Sequence, residues 1–583
     1  MDIRKISPGL SIAPQISVQD LSILASMGFC AIINNRPDGE DDEQVASLEL
    51  AKVAEELGLN YVHQPVVPGM ISEDDVQAFQ SSLKEMEGPV LAFCRTGTRA
   101  VSLWALSEAG HLSTEAILEA ATAAGYDLDG LVERLNDQSK AFASTGVGTR
   151  PGNTAQTVHD VVVIGGGAGG LATVASLLKR RPNIDIAVIE PRDAHYYQPG
   201  WTLVGGGVFS REKTKRLMRD VIPSKAKWIR AAVAEFHPER NAVTLEDGED
   251  VHYKCLVVAP GIKLNWDAIE GLKETLGKNG VTSNYRFDLA SYTWELVKGL
   301  KGGKAIFTQP PMPIKCAGAP QKAMYLACDH WKRNHRLGGI EVEFHTATPG
   351  LFGVADYVPE LMSYVKGYGA ELFFEETLVA VDGQKKVATF EVKNGDVTER
   401  VHKNFDMIHV CPPQTAMDFI KDSPIVNETG WVDVNSETLQ HVKYGNIFGL
   451  GDGCSAPNAK TAAAVRKQAP VVAHNLISVL EGHSTGALYE GYGSCPLTVE
   501  RGKVILAEFG YGGTLQPTFP SWILNGTKAS SLSWLLKEKL MPSLYFDFML
   551  KGREWLAKPE IISHAPLSHD VIDACDFTGQ RTG

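Results

Sequence analysis

The stretch HDVVVIGGGAGGLATVASLLKRR, residues 159–181, limits what this chain can fold into more than any other. An apolar strand runs directly into Gly165-x-Gly167-x-x-Gly170, and an apolar helix follows. Glycines at those positions allow a tight turn and a close backbone approach to a pyrophosphate, whose charge a helix N-terminus favours. The next apolar stretch, IDIAVIEP, closes on Glu190, 25 residues past Gly165 and near the spacing of a carboxylate that binds a ribose. Segment 161–178 is uncharged for 18 residues, which meets a crude length criterion for a membrane span. Its five glycines and its strand-then-helix order fit a nucleotide fold instead.

Two later stretches read as the remainder of a two-dinucleotide flavoprotein. YKCLVVAPG, 253–261, resembles the strand and turn, here through Ala259, Pro260 and Gly261, that return such a chain across its cofactor. NIFGLGDGCSAPNAKTAAAV, 446–465, resembles the segment that contacts the flavin side chain, with Gly451 and Asp452 at the contact. The helix opening near Thr461 would turn its positive end toward the flavin, where charge develops on reduction. FAD is therefore the expected cofactor. A nicotinamide-dependent relative would carry a second glycine turn near residue 303, where this chain has GKAIFTQPPMPIKCAGAP. The prolines after that strand argue against nicotinamide as the main reductant and put Cys316 where the second motif would stand. A type II NADH:quinone oxidoreductase is kept as an alternative.

At roughly 100–200 residues per domain, 583 residues imply several domains. The net charge of −13 argues against a nucleic-acid binder, which needs a basic face. The first fifteen residues lack the apolar core of a secretory signal and the Arg-rich look of a transit peptide, so a cytosolic-facing protein is expected. Nine cysteines occur without a CxxC pair, so no metal site is expected. Cys30, Cys255, Cys328, Cys411 and Cys575 read as small buried apolar residues, and Cys454 as a packing residue near the cofactor.

Residues 1–110 alternate short strands (FCAIINNRP, PVLAFC) with helices (DVQAFQSSLKEM, RAVSLWALSEAG), and a helical tail runs to about 141. Between the last strand and helix lies Cys94-Arg95-Thr96-Gly97-Thr98-Arg99. Loop N–H groups, a helix N-terminus and two arginines form an anion nest that favours a thiolate. The loop resembles those of tyrosine phosphatases (Cys-x5-Arg) and, more closely in spacing, rhodanese-type sulfurtransferases. The surrounding ISPGLSIAPQIS and NNRPDGE resemble the phosphatase-like domain of beta-lactamase-hydrolase-like proteins. A ring this short suits one extra sulfur atom better than a phosphoryl group, so persulfide chemistry is expected at Cys94, with Arg95 and Arg99. Asp38 reads as a turn aspartate before glycine rather than a general acid. A redox-linked protein tyrosine phosphatase is the second alternative.

EPRDAHYYQPGWTLVGGG, PIKCAGAPQKAMYLACDHW, CSAPNAKTAAAV and YEGYGSCPLTVERGKVILAEF are similar to sulfide:quinone oxidoreductases of the branch that includes the mitochondrial enzyme. The resemblance implies that Cys316 and Cys495 relay sulfur and electrons. Sulfide would open their disulfide, or a trisulfide form of it, Cys495 would hold the persulfide, and the Cys316 thiolate would lie against the flavin. It also implies cofactor contacts at Gly169, Gln198, Trp201, Thr202 and Lys460. The expected partners are sulfide, quinone and a sulfur acceptor such as glutathione or sulfite. In 530–559, Leu532, Leu535, Leu536 and Leu540, then Leu544, Tyr545, Phe548 and Met549, interleave with Lys528, Lys537, Lys539, Lys551, Arg553 and Lys558. That pattern fits two helices, parted at Pro542, lying in a membrane interface at the cytoplasmic face of the inner membrane. A core-packing pair or a homodimer contact is the alternative for the same helices.

The expected fold is α/β: two Rossmann-like dinucleotide-binding folds of a flavoprotein disulfide-reductase-like enzyme plus a small N-terminal tyrosine-phosphatase-like α/β domain. The expected boundaries are 1–142 for the persulfide domain, 143–158 for a linker, 159–515 for the FAD-dependent enzyme and 516–583 for the membrane-interface region.

Overall fold

The structure is a computed structural model that describes residues 2–562, except 8, 42–43, 68–70, 87, 110–111, 113, 133, 137–156 and 395–396. The expected linker thus lies outside the described residues apart from 157 and 158, as do Cys575 and the rest of 563–583. The chain divides into two compact units, Met1–Ala155 and Gln156–Gly583.

In the first unit the sheet order is Arg4–Lys5, Leu10–Ala13, Val90–Phe93, Ala31–Asn34, Asn60–His63. The last four strands are parallel. Alternation along each strand sends side chains to two faces. Ile12, Ile33 and Ala92 join one core with Phe79 and Trp104. Ala13, Ile32, Leu91 and Phe93 join another with Leu21 and Leu50. Asp38, in a turn, caps the helix Ser47–Glu56 by accepting from Ser47 N (2.8 Å) and Ser47 Oγ (2.6 Å).

The second unit carries two Rossmann-like sheets. The first runs Lys227–Ile229, Ile186–Ile189, Val158–Ile164, Asp250–Val258, Ala242–Leu245, Val233–His237, with Ile447–Gly449 also pairing Asp250–Val258. Val161 to Ile164 and Leu256 to Val258 are buried continuously, as parallel strands covered on both faces require. The second sheet, Val281–Thr282, Met407–His409, Gly303–Gln309, Ile340–Thr346, Glu371–Phe374, is parallel throughout. An antiparallel hairpin, Gly493–Glu500 with Lys503–Phe509, brings Cys495 in beside the helix Ala319–Arg333.

Two expectations are corrected. Cys30 is exposed, not buried: it follows the Met27–Gly28 helix stop and precedes the strand that dives into the core. The C-terminal segment is one continuous helical run from Ser531 to Lys551 rather than two helices. Wider π-turns at Leu536–Leu540 and Leu544–Phe548 flank Pro542, which opens a new turn where its missing N–H costs little. That widening rotates the helix faces. Tyr545 and Met549 enter the main core, and Lys537 is buried. Leu532, Leu535 and Leu540 stay exposed, as do Trp522 (84%) and Ile523.

Candidate active site

The first strand of the dinucleotide unit ends at Gly165, whose φ of +100° suits glycine. A Cβ on Gly170 would stand 1.9 Å from Gly165 O, whereas Gly167 has open space before it. Glu190, just past the strand Ile186–Ile189, accepts from Gly166 N (2.8 Å) and Arg192 N (3.0 Å). These groups form one end of a cavity of ≈ 380 Å³.

Gly169, Gln198, Trp201, Thr202, Ala259, Pro260, Gly261, Gly451, Asp452, Lys460 and Thr461 all line this cavity. Gly170 does not line it and serves the turn from behind. Thr461 caps the helix Ala462–Leu480 by accepting from Ala464 N (3.2 Å), so that helix opens on the cavity. Burial raises the Asp452 pKa. Lys460 Nζ donates to Asp452 O and Cys454 O, which makes it a brace for the segment. Trp201 Nε1, Thr202 Oγ1, both amide atoms of Asn284 and Ser494 Oγ are buried without a hydrogen-bond partner among the described residues, and their residues line the cavity. Buried polar atoms are rarely left unpaired, so these donors and acceptors fit a polar cofactor. With the glycine cradle, they match the demands of a flavin dinucleotide.

Cys316 lines the same space. It follows the strand Gly303–Gln309 and holds φ +53°, a left-handed conformation that is uncommon outside glycine. The turn is clamped: Cys316 N donates to Lys460 O (2.9 Å), and Lys315 N to Gln414 Oε1 (2.8 Å). Cys316 Sγ and Cys495 Sγ stand 3.5 Å apart across 179 residues. This is hydrogen-bond reach between two unbonded sulfurs, against about 2.05 Å for a disulfide.

Lys322, which sequence reasoning missed, sets the electrostatics. Its Nζ lies 3.1 Å from Cys316 Sγ and 3.8 Å from Cys495 Sγ. A hydrogen bond from the Cys495 thiol, then the Lys322 charge, outweigh burial and hold the Cys316 pKa well below a free thiol's. The same bond, with burial, pushes Cys495 well above. Cys316 is thus the more acidic of the two sulfurs. Burial drives Lys537, the second nearby amine, well below its usual range, and the Lys322 charge adds to this. The signal in sequence was a lysine in the first turn of a helix, where the dipole disfavours a cation unless an anion sits beside it.

The cavity continues to the C-terminal run, with Leu536, Met541, Leu544, Tyr545 and Phe548 in its wall. Tyr545 Oη lies 2.8 Å from His195 Nε2, and His195 Nδ1 lies 2.9 Å from Gly166 O. Glu554 ties the end of the run to Ser176, Lys179 and Arg180 on the helix after the glycine turn. Cys454 is buried against Gly451 O, in a packing position.

In the N-terminal unit, Cys94 ends the strand Val90–Phe93 and is fully buried. Gly97, at φ +88°, caps the helix Thr98–Glu108. Arg99 is buried but tied to Glu40 by two hydrogen bonds (2.7 and 2.8 Å) and to Val66 O. Arg36 also bonds Glu40. Arg95 is mostly exposed, 3.9 Å from Asp41. Arg99 reaches the Cys94 sulfur by charge and by a hydrogen bond while Glu40 shares its guanidinium, and Arg95 lies nearer Asp41.

Residues 2–111 match the family described as Beta-lactamase hydrolase-like protein, phosphatase-like domain, and residues 159–295 match Pyridine nucleotide-disulphide oxidoreductase. The mitochondrial sulfide:quinone oxidoreductase of Dictyostelium discoideum is 43% identical over 407 residues, 69% of this chain and 88% of that protein. The beta-lactamase hydrolase-like protein of Agrobacterium fabrum is 38% identical over 139 residues, 24% of this chain and 32% of that protein. Among solved structures, the sulfide:quinone oxidoreductase of Aquifex aeolicus covers 68% of this chain and 92% of its own, at TM-score 0.56 and 20% identity, a likeness of fold.

Proposed function

The chain belongs to the sulfide:quinone oxidoreductase family, with a phosphatase-like domain at its N-terminus, and from that premise we propose that its sulfur chemistry runs on Cys316 and Cys495. The enzyme is a flavoprotein that oxidises sulfide and reduces quinone. The observation that carries the finer reading is the 3.5 Å sulfur pair beside Lys322 at the cavity wall.

In the oxidised state the two sulfurs are bonded. HS⁻ attacks Cys495 Sγ, the S–S bond breaks, and Cys316 leaves as a thiolate paired with Lys322. Cys495 then carries the sulfur as a persulfide, which splits sulfur transfer from electron transfer. A thiol or sulfite takes the outer sulfur and leaves Cys495 as a thiolate. Re-forming the Cys316–Cys495 bond releases two electrons. Bound FAD, held by the glycine turn at 165–170, Glu190 and the 451–461 segment, would supply the sink for that pair. Anaerobic sulfide together with sulfite should bleach the flavin of the wild type, and neither Cys316→Ser nor Cys495→Ser should bleach within a turnover time. Bleaching by NADH in place of sulfide would overturn this reading.

The exposed Trp522, Ile523, Leu532, Leu535 and Leu540 support peripheral docking on a membrane that carries quinone. No helix among the described residues is long and apolar enough to cross a membrane.

For the N-terminal domain we assign a sulfur hand-off: Cys94 receives sulfane sulfur from a small-molecule persulfide and passes it to sulfite. The four-residue loop and the carboxylates that offset Arg36, Arg95 and Arg99 disfavour a dianionic phosphoryl group. The phosphatase-like family match favours dephosphorylation as the second reading. Cys94→Ser should leave sulfide-dependent quinone reduction intact and lower thiosulfate formation. Loss of phosphotyrosine-surrogate turnover alone would favour the second reading.

A further inference from the structure

Glu508 is 4% exposed and carries no ion pair among the described residues, yet it lines the cavity. It sits on the strand Lys503–Phe509, opposite Ser494 in register, one residue from Cys495. Its Oε1 accepts from Tyr492 Oη (2.6 Å) and from Thr518 Oγ1, and its Oε2 from Thr518 N (3.0 Å). Tyr492, Thr518 and the unpartnered Ser494 Oγ border the same space. A glutamate is almost never this buried unless it is ion-paired, so its place at the cavity wall is unusual. Thr518 is half-buried, so the cluster reaches from cavity to surface.

Proton balance supplies a use for it. Quinone takes two electrons and two protons to become quinol. HS⁻ yields two electrons and one proton as its sulfur becomes sulfane sulfur, so each turnover draws one further proton from solvent. The apolar wall of Leu506, Phe519, Leu536, Met541 and Phe548 offers none.

We infer that Glu508, with Tyr492 and Thr518, delivers the solvent-derived proton to quinone bound at the C-terminal end of the cavity. This rests on the reading that quinone binds there. Glu508 gives its proton through the Tyr492 hydroxyl and is reprotonated past Thr518. The groups facing it are Tyr492 and Tyr357, with Lys467 and, across Tyr492, Arg466 from the neighbouring helix.

Glu508→Gln can still accept from Thr518 N through its amide oxygen but cannot give up a proton. The test reduces holoenzyme with sulfide anaerobically, then mixes it with decylubiquinone or with ferricyanide, which takes electrons without protons. Glu508→Gln should bleach normally with sulfide and reoxidise normally with ferricyanide. With decylubiquinone it should slow by on the order of 10²-fold, the usual share of a general acid, and lose the wild-type pH dependence of that step. Equal slowing with both oxidants, or with neither, overturns the inference. Should Glu508→Gln fail to hold flavin, Tyr492→Phe carries the same comparison. Leu536→Trp, which narrows the cavity, separates the two layers. If it slows decylubiquinone while Glu508→Gln does not, only the proton role falls; if neither slows it, the quinone position falls too.

Discussion

Lys322 Nζ lies 3.1 Å from Cys316 Sγ and 3.8 Å from Cys495 Sγ, so one buried ammonium favours the thiolate form of the nearer sulfur. Burial alone would strip its proton; the two sulfurs outweigh burial and raise its pKa.

Lys322→Met should therefore move the Cys316 titration upward. Each unit of that shift costs about tenfold in thiolate below the pKa. Sulfide-driven flavin bleaching should slow at neutral pH, recover as pH rises, and be largely restored by Lys322→Arg. Stopped-flow profiles against pH read this directly; an unshifted profile removes Lys322 from the chemistry.

Gly170→Ala should yield protein without flavin. Its Cβ would sit 1.9 Å from Gly165 O, which is backbone and cannot swing aside. Absorbance near 450 nm after purification measures it, with Cys94 alkylation kinetics as the control that the N-terminal domain is folded.

Glu40→Gln removes the carboxylate that Arg36 and Arg99 share. Arg36 keeps Asp41 at 3.8 Å, but Arg99 is left buried without its carboxylate partner, and breaking such a pair costs about 3–5 kcal/mol. Hydrogen exchange should speed up across Ala31–Asn34 and Val90–Phe93 while the flavin domain is unchanged.

Glu343 predicts acid sensitivity. Burial pushes its carboxyl up, but hydrogen bonds from His345 and Lys304 outweigh this and hold it near about 2. A depressed carboxylate stabilises the fold fully above its unfolded pKa, near 4.5, and the gain is lost as pH falls toward 2. Glu343→Gln should flatten the stability of the flavin domain across that window in denaturant melts; an unchanged slope would count against the assignment.

Leu532, Leu535 and Leu540 changed together to Ser should cut co-sedimentation with phosphatidylcholine vesicles by tenfold or more and raise the apparent KM for long-tailed quinone. The rate with short-tailed analogues in detergent should hold, since these side chains face outward.

The dinucleotide turn, the strand-loop-helix around Cys94 and the two α/β units were legible in the chain because short-range rules make them. A Gly165–Gly170 turn, a run of buried valines and a helix cap are each set by neighbours a few residues away. Folding decided what depends on distant segments meeting. Cys316 and Cys495 come into contact only when the hairpin at 493–509 lands on the helix at 319–333. Glu40 reaches across 59 residues to offset Arg99, and a register change at the π-turns carries Tyr545 inward onto His195. Charge and burial are properties of the assembled neighbourhood, so the acid–base character of these residues was settled by tertiary structure, while their identities and local backbone were already written in order along the chain.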